Sequence, residues 1–239
     1  MQVKIIIPAR WESSRFPGKP MANINGCPMI IHVCRRVAMA IKKADIRVAT
    51  DDMRIHNIVK KNGYKAMLTG DCSTGTDRVF QAARKIKADI YINVQGDEPL
   101  VNPEDIQAVI AMKIKFPDYV IGSMALLKEN ECQNLNRVKV LVDNNMNMLK
   151  MTRQAIDTLW RQCGLYAFTL KELKQFVVLE HKEVEKIELT RITKVKMVAI
   201  KGSPAVDMPD DIKIIEGIIN DEKEIKKTNP KDKISCNGL

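Results

Sequence analysis

A loop rich in cations and hydroxyls follows the first apolar run of the chain. The run 5–7 ends at Pro8, and the loop after it holds Arg10, Arg15 and Lys19 together with two serines and a Pro-Gly pair. Guanidinium and ammonium groups neutralise phosphate oxygens, and a glycine lets backbone N–H groups approach them. Ligands of open α/β sheets bind at the carboxyl ends of strands, so we interpret the loop as a triphosphate site rather than as scattered surface charge. It contains neither GxxxxGK[ST] nor GxGxxG.

Two carboxylate motifs have the chemistry to complement this loop. Asp97 and Glu98 follow Gly96 directly after an apolar run, and Asp207 lies just before Pro209. Mg²⁺ favours one or two carboxylates together with phosphate and water oxygens. Taken alone, the first motif fits a turn and helix cap equally well, and the second favours a cap. Beside the cationic loop, both favour a metal-assisted phosphate site.

A further motif, Gly75-Thr76-Asp77-Arg78, lies between an expected strand and an expected helix. Gly75 permits close approach of the backbone to a ligand. Thr76 and Asp77 are suited to capping the helix or to contacting a base edge. We expect capping, with a ligand contact as an additional role.

The first half of the chain alternates short β-branched runs with helical patterns. We expect strands at 3–7, 46–50, 65–68 and 89–94, with helices near 28–42, 53–62 and 76–87 between them, and a further helix from Pro103. Such alternation predicts an α/β fold with a mixed, mostly parallel sheet flanked by helices.

The pattern changes after about residue 118. Shorter strands are expected at 119–125, 138–142, 146–151 and 163–168, with a hairpin turn at 143–145. Helices near 170–177 and 182–192, a strand at 194–200 and a last helix from Pro209 follow. We therefore expect a single domain over 1–220 with a smaller β-rich insert at about 119–168. The charged segment 221–239 is expected to be a flexible tail.

Composition excludes several classes of protein. The net charge of +10 invites a nucleic-acid interpretation, but aromatic residues make up only 5% of the chain, so base-stacking platforms are not expected. Most of the surplus charge is assigned to a lysine-rich surface, and a smaller part to an anionic substrate. No apolar run is long enough to span a bilayer and no signal peptide is evident, so we expect a cytoplasmic protein with no membrane partner. The six cysteines are dispersed without a CxxC pair, which argues against a zinc site or a disulfide framework.

Taken together, these motifs resemble those of the bacterial 3-deoxy-manno-octulosonate (Kdo) cytidylyltransferase family, also called CMP-Kdo synthetases. Residues 8–20 satisfy every position of its PAR-x-x-S-[ST]-R-x-P-G-K-P pattern, and residues 93–99 resemble its N-x-Q-G-D-E-P motif. Residues 25–33 and 75–78 resemble its N-G-x-P-M-I-x-H-V and S-G-T-[DE]-R segments. The resemblance extends over the whole chain except the tail. It implies a nucleotide-diphospho-sugar-transferase-like fold, and it suggests a homodimer to which the β-rich insert contributes.

The resemblance also implies a reaction and a site. The anomeric hydroxyl of a 2-keto-3-deoxy sugar acid would attack the α-phosphorus of CTP in line, and pyrophosphate would leave. The implied nucleotide site comprises Ala9, Arg10, Ser14, Arg15, Lys19, Gly75, Thr76, Arg78 and Gln95. The implied sugar site comprises Gln95, Arg153, Gln162, Glu185 and Glu188, and Asp97 and Asp207 would hold Mg²⁺. Arg10, Lys19 and Asp97 are the expected catalytic residues.

The chain departs from the family on the sugar side. Its Y-F-S-R-x-x-I-P pattern is reduced here to Arg153 and Ile156, Gln162 stands in place of a histidine, and Leu189 in place of a glutamine. Because hydrogen bonds select a polyhydroxylated sugar, the acceptor stays open between Kdo, a related ulosonic acid and another acidic compound. A same-fold nucleotidyltransferase with another base, and a CTP-binding protein without catalysis, are the alternatives. The intact cations and carboxylates favour an enzyme.

Overall fold

The computed structural model describes residues 1–13, 15–128, 131–179 and 187–228 of the chain. Its strands are β1 (Val3–Ala9), β2 (Asn23–Ile24), β3 (Cys27–Pro28), β4 (Ile46–Thr50), β5 (Lys65–Leu68), β6 (Ile90–Val94), β7 (Val120–Leu126), β8 (Lys139–Val142), β9 (Met148–Thr152), β10 (Trp160–Phe168) and β11 (Val195–Ala199). Its α-helices are α1 (Met29–Ala40), α2 (Met53–Lys61), α3 (Gly75–Ala83), α4 (Pro103–Lys115), α5 (Leu170–Val178) and α6 (Asp211–Thr228). No helix in these ranges is long and apolar enough to cross a membrane.

The main sheet is mixed and mostly parallel, as the strand–helix alternation predicts. Its order is β11-β7-β10-β6-β1-β4-β5, and the β8–β9 hairpin is added through β8 to β10. Strand β1 pairs in parallel with β4 and β6, whereas β10 runs antiparallel to β6 and β7. Because β1, β4 and β6 point the same way, the loops that follow them meet at one edge of the sheet.

Helices cover both faces of the sheet. Ile5 and Ile7 of β1 pack into the core shared with α1, α2 and α4, whereas Ile6 packs into the core shared with α3 and α5. All three isoleucines are fully buried. Alternate residues of a strand face opposite sides, so an uninterrupted apolar run is what a central strand between two helical layers requires. The cationic loop therefore begins at the end of a strand fixed on both faces.

The strands expected in the β-rich insert are confirmed, including the hairpin around 143–145. The helix expected at 182–192 is wrong over its described part, because residues 188–191 form a 3₁₀ turn and 180–186 lie outside the described residues. Leu189 is fully buried and Glu188 bonds to Thr76, so both side chains anchor this short turn to the core.

Helix α6 continues to Thr228, beyond the expected end of the domain at residue 220. Its second half includes Glu222, which forms an ion pair with Arg36 of α1. A tertiary contact of this kind favours helix in a segment whose charged composition suggested a flexible tail. Residues 229–239 of the expected tail lie outside the described residues.

Candidate active site

A cavity of about 490 Å³ opens at the sheet edge where β1 and β6 end. It gathers residues from the cationic loop, the start of α3, the loop after β6 and the 3₁₀ turn. Among the residues implied by the motifs, the cavity is lined by Ala9, Arg10, Arg15, Lys19, Gly75, Arg78, Gln95, Asp97 and Glu188. Ser14 and Glu185 lie outside the described residues.

The base of the cationic loop is closed by Trp11. Gly18 adopts a left-handed conformation with φ 69°, and its N–H donates to the carbonyl of Trp11 over 2.9 Å. The Trp11 ring also contacts Arg54, whose guanidinium lies 3.2 Å from the ring centroid. Arg54 is in turn held by three hydrogen bonds from its Nε and Nη2 to the Asp52 carboxylate. The loop is thereby tied to the start of α2.

Two cations of the loop meet the two carboxylates proposed for a metal. Lys19 Nζ lies 2.7 Å from Asp97 Oδ2, and Arg15 Nη2 lies 3.2 Å from Asp207 Oδ1. Lys19 also donates to the carbonyl of Val206 over 2.9 Å. The N–H of Val206 donates to the carbonyl of Asp97 over 2.9 Å, so the backbone itself joins the two carboxylate-bearing segments.

Asp97 and Asp207 suit a hard divalent cation. Their carboxylates lie on adjoining segments and already attract positive groups of the cationic loop. Over the described part of the chain, no cluster of three or more His, Cys, Asp or Glu side chains is placed to hold a metal. A cation at this pair would complete its coordination with phosphate and water oxygens, which is the arrangement that Mg²⁺ prefers.

Glu98 lies behind Asp97 and joins three segments. It is 7% exposed, and its Oε1 accepts from the N–H of Gly164 over 2.8 Å while Oε2 accepts from the Ser203 hydroxyl over 3.1 Å. Burial, followed by the nearby negative charge of Asp97, raises the pKa of Glu98 to about 7. The sequence grouped Glu98 with Asp97 as a carboxylate pair for a divalent cation, but in the structure both oxygens of Glu98 accept hydrogen bonds from protein groups.

The start of α3 contributes unequally to the cavity. Gly75 and Arg78 line it, but Thr76 is fully buried and lies beneath it. The Thr76 hydroxyl donates to Glu188 Oε2 over 2.6 Å. Arg78 is 3% exposed and donates from Nη2 to Asp51 Oδ2 over 2.6 Å. Arg78 therefore presents only part of its guanidinium to a ligand, and Asp51, the residue that directly follows β4, supports it from outside the Gly75–Arg78 motif.

The expected sugar residues are engaged with protein partners. Gln162 of β10 donates from Nε2 to the Tyr166 hydroxyl over 2.7 Å. Burial raises the pKa of Glu188, and burial with the nearby Glu188 charge raises that of Tyr166 well above its usual range. Arg153 donates from Nη1 to the carbonyls of residues 135 and 136 over 3.4 and 3.2 Å. Its guanidinium thus binds the backbone before β8, and Arg153, like Gln162 and Asp207, is not among the residues that line the cavity.

One further cation lies near the carboxylates, and the sequence did not predict it. Arg137 Nη1 lies 3.7 Å from Asp207 Oδ2, whereas Arg15 approaches Oδ1, and the Nε of Arg137 lies 3.1 Å from Glu131 Oε1. No motif includes Arg137, and only its position just before β8 distinguishes it in the sequence.

Comparison with known proteins agrees with this architecture. The cytidylyltransferase family model matches residues 4–228. The 8-amino-3,8-dideoxy-manno-octulosonate cytidylyltransferase of Shewanella halifaxensis (strain HAW-EB4) is 38% identical over 90% of this chain and 98% of its own. The 3-deoxy-manno-octulosonate cytidylyltransferase of Desulfatibacillum aliphaticivorans is also 38% identical, over 93% of this chain and 100% of its own.

A solved structure extends the likeness to three dimensions. CMP:2-keto-3-deoxy-manno-octonic acid synthetase complexed with CTP superposes with a TM-score of 0.87 at 31% identity, covering 93% of this chain and 100% of that one. The expected nucleotide-diphospho-sugar-transferase-like fold is confirmed. The protein is a nucleotidyltransferase, and the chain belongs to the cytidylyltransferase family.

Proposed function

We propose that the protein transfers CMP from CTP to the anomeric hydroxyl of a 2-keto-3-deoxy sugar acid, with Mg²⁺ as cofactor and pyrophosphate as the second product. The observation that carries this proposal is the meeting of Lys19 with Asp97 and of Arg15 with Asp207 at one cavity. The cations there can bind a phosphate chain, and the carboxylates can bind a divalent cation. The names of the relatives support the same substrates.

In this proposal the cationic loop binds the triphosphate. Arg10, Arg15 and Lys19 neutralise phosphate oxygens, assisted by the Ser14 hydroxyl, and backbone near Ala9 contacts the nucleoside. Gly75, Arg78 and Gln95 flank the cytosine and ribose. Because Thr76 lies beneath the cavity, its role is to hold Glu188 rather than to contact the base.

The reaction needs positioning and charge neutralisation more than a covalent nucleophile. The anomeric oxygen forms a bond to the α-phosphorus, the bond from that phosphorus to the bridging oxygen breaks, and the hydroxyl proton is released. Lys19, Arg15 and Arg10 stabilise the charge that develops on the phosphates. Held by Asp97 and Asp207, Mg²⁺ would polarise the α-phosphate and neutralise its oxygens.

The acceptor is proposed to have the eight-carbon skeleton of 3-deoxy-manno-octulosonate. The two relatives differ in their names at C8, which carries an amino group in one acceptor. Glu188 and Gln162 are the described polar groups assigned to its hydroxyl or amino groups, together with Glu185 outside the described residues. The group accepted at C8 distinguishes two close substrates, namely 3-deoxy-manno-octulosonate and its 8-amino analogue.

We further propose a homodimer assembled through the insert at about 119–168. Its support is a set of exposed leucines in or beside β7–β10, namely Leu126, Leu135, Leu141, Leu149 and Leu159, which are 37–71% exposed. Exposed apolar side chains concentrated in one region are typical of an interface between subunits. The unit expected over 1–220, extended by α6 to residue 228, would then act as one domain within a cytoplasmic enzyme, since CTP is available in that compartment.

The test is release of pyrophosphate from CTP and Mg²⁺ with a panel of sugar acids. We expect turnover with 3-deoxy-manno-octulosonate or its 8-amino analogue, and little with ATP, GTP or UTP in place of CTP. Tight binding of CTP without turnover of any acid in the panel would favour a catalytically silent CTP-binding protein. Light scattering on the same sample tests the dimer, which a monomeric mass would contradict.

A further inference from the structure

We propose that Arg137 binds the carboxylate of the acceptor sugar acid. The proposal rests on the proposed function, because it names the residue that recognises one end of that acceptor. It differs from the expectation drawn from the sequence, in which Arg153 was the arginine of the sugar site.

The chemistry of the acceptor restricts where such a residue can lie. In a 2-keto sugar acid the carboxylate and the anomeric hydroxyl are attached to the same carbon atom. When the hydroxyl approaches the α-phosphorus, the carboxylate must therefore be close to the reacting atoms as well. Its partner has to come from a cation beside Asp97 and Asp207, not from one at the far end of the sugar site.

Three cations of the described residues contact those two carboxylates by ion pair: Lys19, Arg15 and Arg137. Lys19 and Arg15 belong to the cationic loop, whose charge is matched by the triphosphate. Arg137 approaches Asp207 from the segment before β8, on the side of the insert. It is therefore the cation that remains for a second anion.

Arg137 is held in place by its own segment. Its N–H donates to the carbonyl of Asn134 over 3.0 Å, and Lys139 Nζ donates to the same carbonyl over 2.7 Å. Arg153 donates to the carbonyls of Leu135 and Asn136. Arg153 thus acts as a positioning residue for the short turn that carries Arg137. A preorganised guanidinium binds a carboxylate with less loss of conformational entropy than a mobile one.

The charge around Arg137 also favours an added anion. Arg137 and Arg161 share the single carboxylate of Glu131, with Nε to oxygen distances of 3.1 and 3.7 Å. These contacts are ion pairs and not hydrogen bonds: within the described residues, both Nε atoms are buried and neither has a hydrogen-bond partner. With Asp207 assigned to the metal, the cluster of Arg137, Arg161 and Glu131 carries one positive charge in excess. A guanidinium presents a planar fork of donors that matches a carboxylate.

The experiment measures binding rather than turnover. The ligand is the 2-deoxy analogue of the sugar acid, which lacks the attacking hydroxyl, together with its carboxamide, and calorimetry gives both dissociation constants in the presence of CTP. For Arg137→Gln we expect the acid to bind roughly 10- to 100-fold more weakly, while the carboxamide and CTP bind as they do to the wild type. Arg137→Lys should bind the acid with an affinity between those of the wild type and Arg137→Gln, because lysine retains the charge and lacks the planar fork of donors.

Arg35→Gln is the matched control, since it removes an exposed arginine on α1 and should change none of these constants. The proposal is overturned if Arg137→Gln binds acid and carboxamide in the wild-type ratio. It is also overturned if CTP binding falls in parallel, because the role of Arg137 would then be structural. A wild-type protein that binds CTP and no sugar acid would contradict the proposed function itself.

Discussion

The two sides proposed for the cavity are built differently: a nucleotide side made of the cationic loop, the loop after β6 and the start of α3, and an acceptor side made of the 3₁₀ turn, β10 and the segment before β8. On the nucleotide side, contiguous motifs follow β1 and β6 and begin α3, so the backbone of a buried sheet positions each group. On the acceptor side, the contacts join distant parts of the chain: Glu188 of the 3₁₀ turn and its partner Thr76 are 112 residues apart. Triphosphate geometry is the same for every acceptor, so it suits a fixed motif. Acceptor geometry varies, and separate segments can be altered one at a time.

The largest effect should come from the nucleotide side, at Asp97. Asp97→Asn keeps the shape of the side chain and removes the charge that would hold a divalent cation, so we expect kcat to fall by about 10³-fold. CTP binding and the melting temperature should stay close to those of the wild type. Pyrophosphate release measures kcat, and calorimetry with Mn²⁺ measures the loss of metal binding directly. A variant that retains a tenth of the activity would exclude Asp97 as a metal ligand.

Glu98 joins the two sides, and its ionisation should be visible in stability. Because the folded-state pKa is raised from 4.5 to about 7, folding favours the protonated acid. Its stabilising contribution is fully present below about pH 4.5 and is lost as the pH rises through about 7. A pKa difference of this size corresponds to on the order of 3 kcal/mol.

Glu98→Gln imitates the neutral acid, because its amide can accept from Gly164 and donate to Ser203. We expect the free energy of unfolding of the variant to rise relative to the wild type by up to about 3 kcal/mol between about pH 5 and pH 8. Urea titrations in the presence of EDTA measure this difference without a metal at Asp97. A difference that does not change with pH would mean that Glu98 stays ionised in the folded protein.

Substitutions of two glycines, one on each side, test how rigid the two sides are. A Cβ on Gly96 would lie 2.6 Å from the backbone carbonyl oxygen of Pro8, whereas a Cβ on Gly164 would lie 2.5 Å from Glu98 Oε1 and 2.7 Å from Gln95 Cγ. Backbone between paired strands cannot move aside, but side chains can rotate. We expect Gly96→Ala to lower the free energy of unfolding by about 3 kcal/mol and Gly164→Ala by about 1 kcal/mol.

Urea denaturation of both variants measures this difference. Gly164→Ala should additionally raise KM for the acceptor, since Gln95 and Glu98 must shift to accommodate it. Equal losses of stability in the two variants would contradict the contrast between a rigid nucleotide side and an adjustable acceptor side.

The same contrast explains what the sequence could predict. Buried strands and the cationic loop produce local patterns, and the strands expected in both halves of the chain are present. Asp97 was predicted because it follows a strand end in a recognisable motif. Arg137 was not, because its place beside the site comes from contacts with Asp207 and Glu131 and from a turn held by Arg153, and no local pattern encodes those contacts. Thr76 was included in the nucleotide site for a related reason: its motif fixes its position in α3 but does not predict its bond to Glu188.

The smallest effect should come from the support of the cationic loop at Arg54. Its guanidinium stacks on Trp11, outside the cavity, so Arg54→Ala removes a contact that positions the loop without removing any group proposed to touch CTP. Exposed cation–π contacts are weak, and we expect roughly two- to five-fold weaker binding of CTP with an unchanged kcat. Arg84→Ala, which removes an arginine 5.7 Å from the centroid of Phe80 on α3, is the matched control and should leave CTP binding unchanged.

Trp11 itself provides the measurement that separates loop support from a general loss of stability. In a Trp160→Phe background it is the remaining tryptophan of the chain, so its fluorescence reports on the loop alone. CTP should change that fluorescence in the background protein, and Arg54→Ala should shift the unliganded signal while leaving the signal at saturating CTP unchanged. If Arg54→Ala alters kcat as strongly as it alters CTP binding, the loop is not a separable support. The nucleotide side would then depend on distant contacts as much as the acceptor side does.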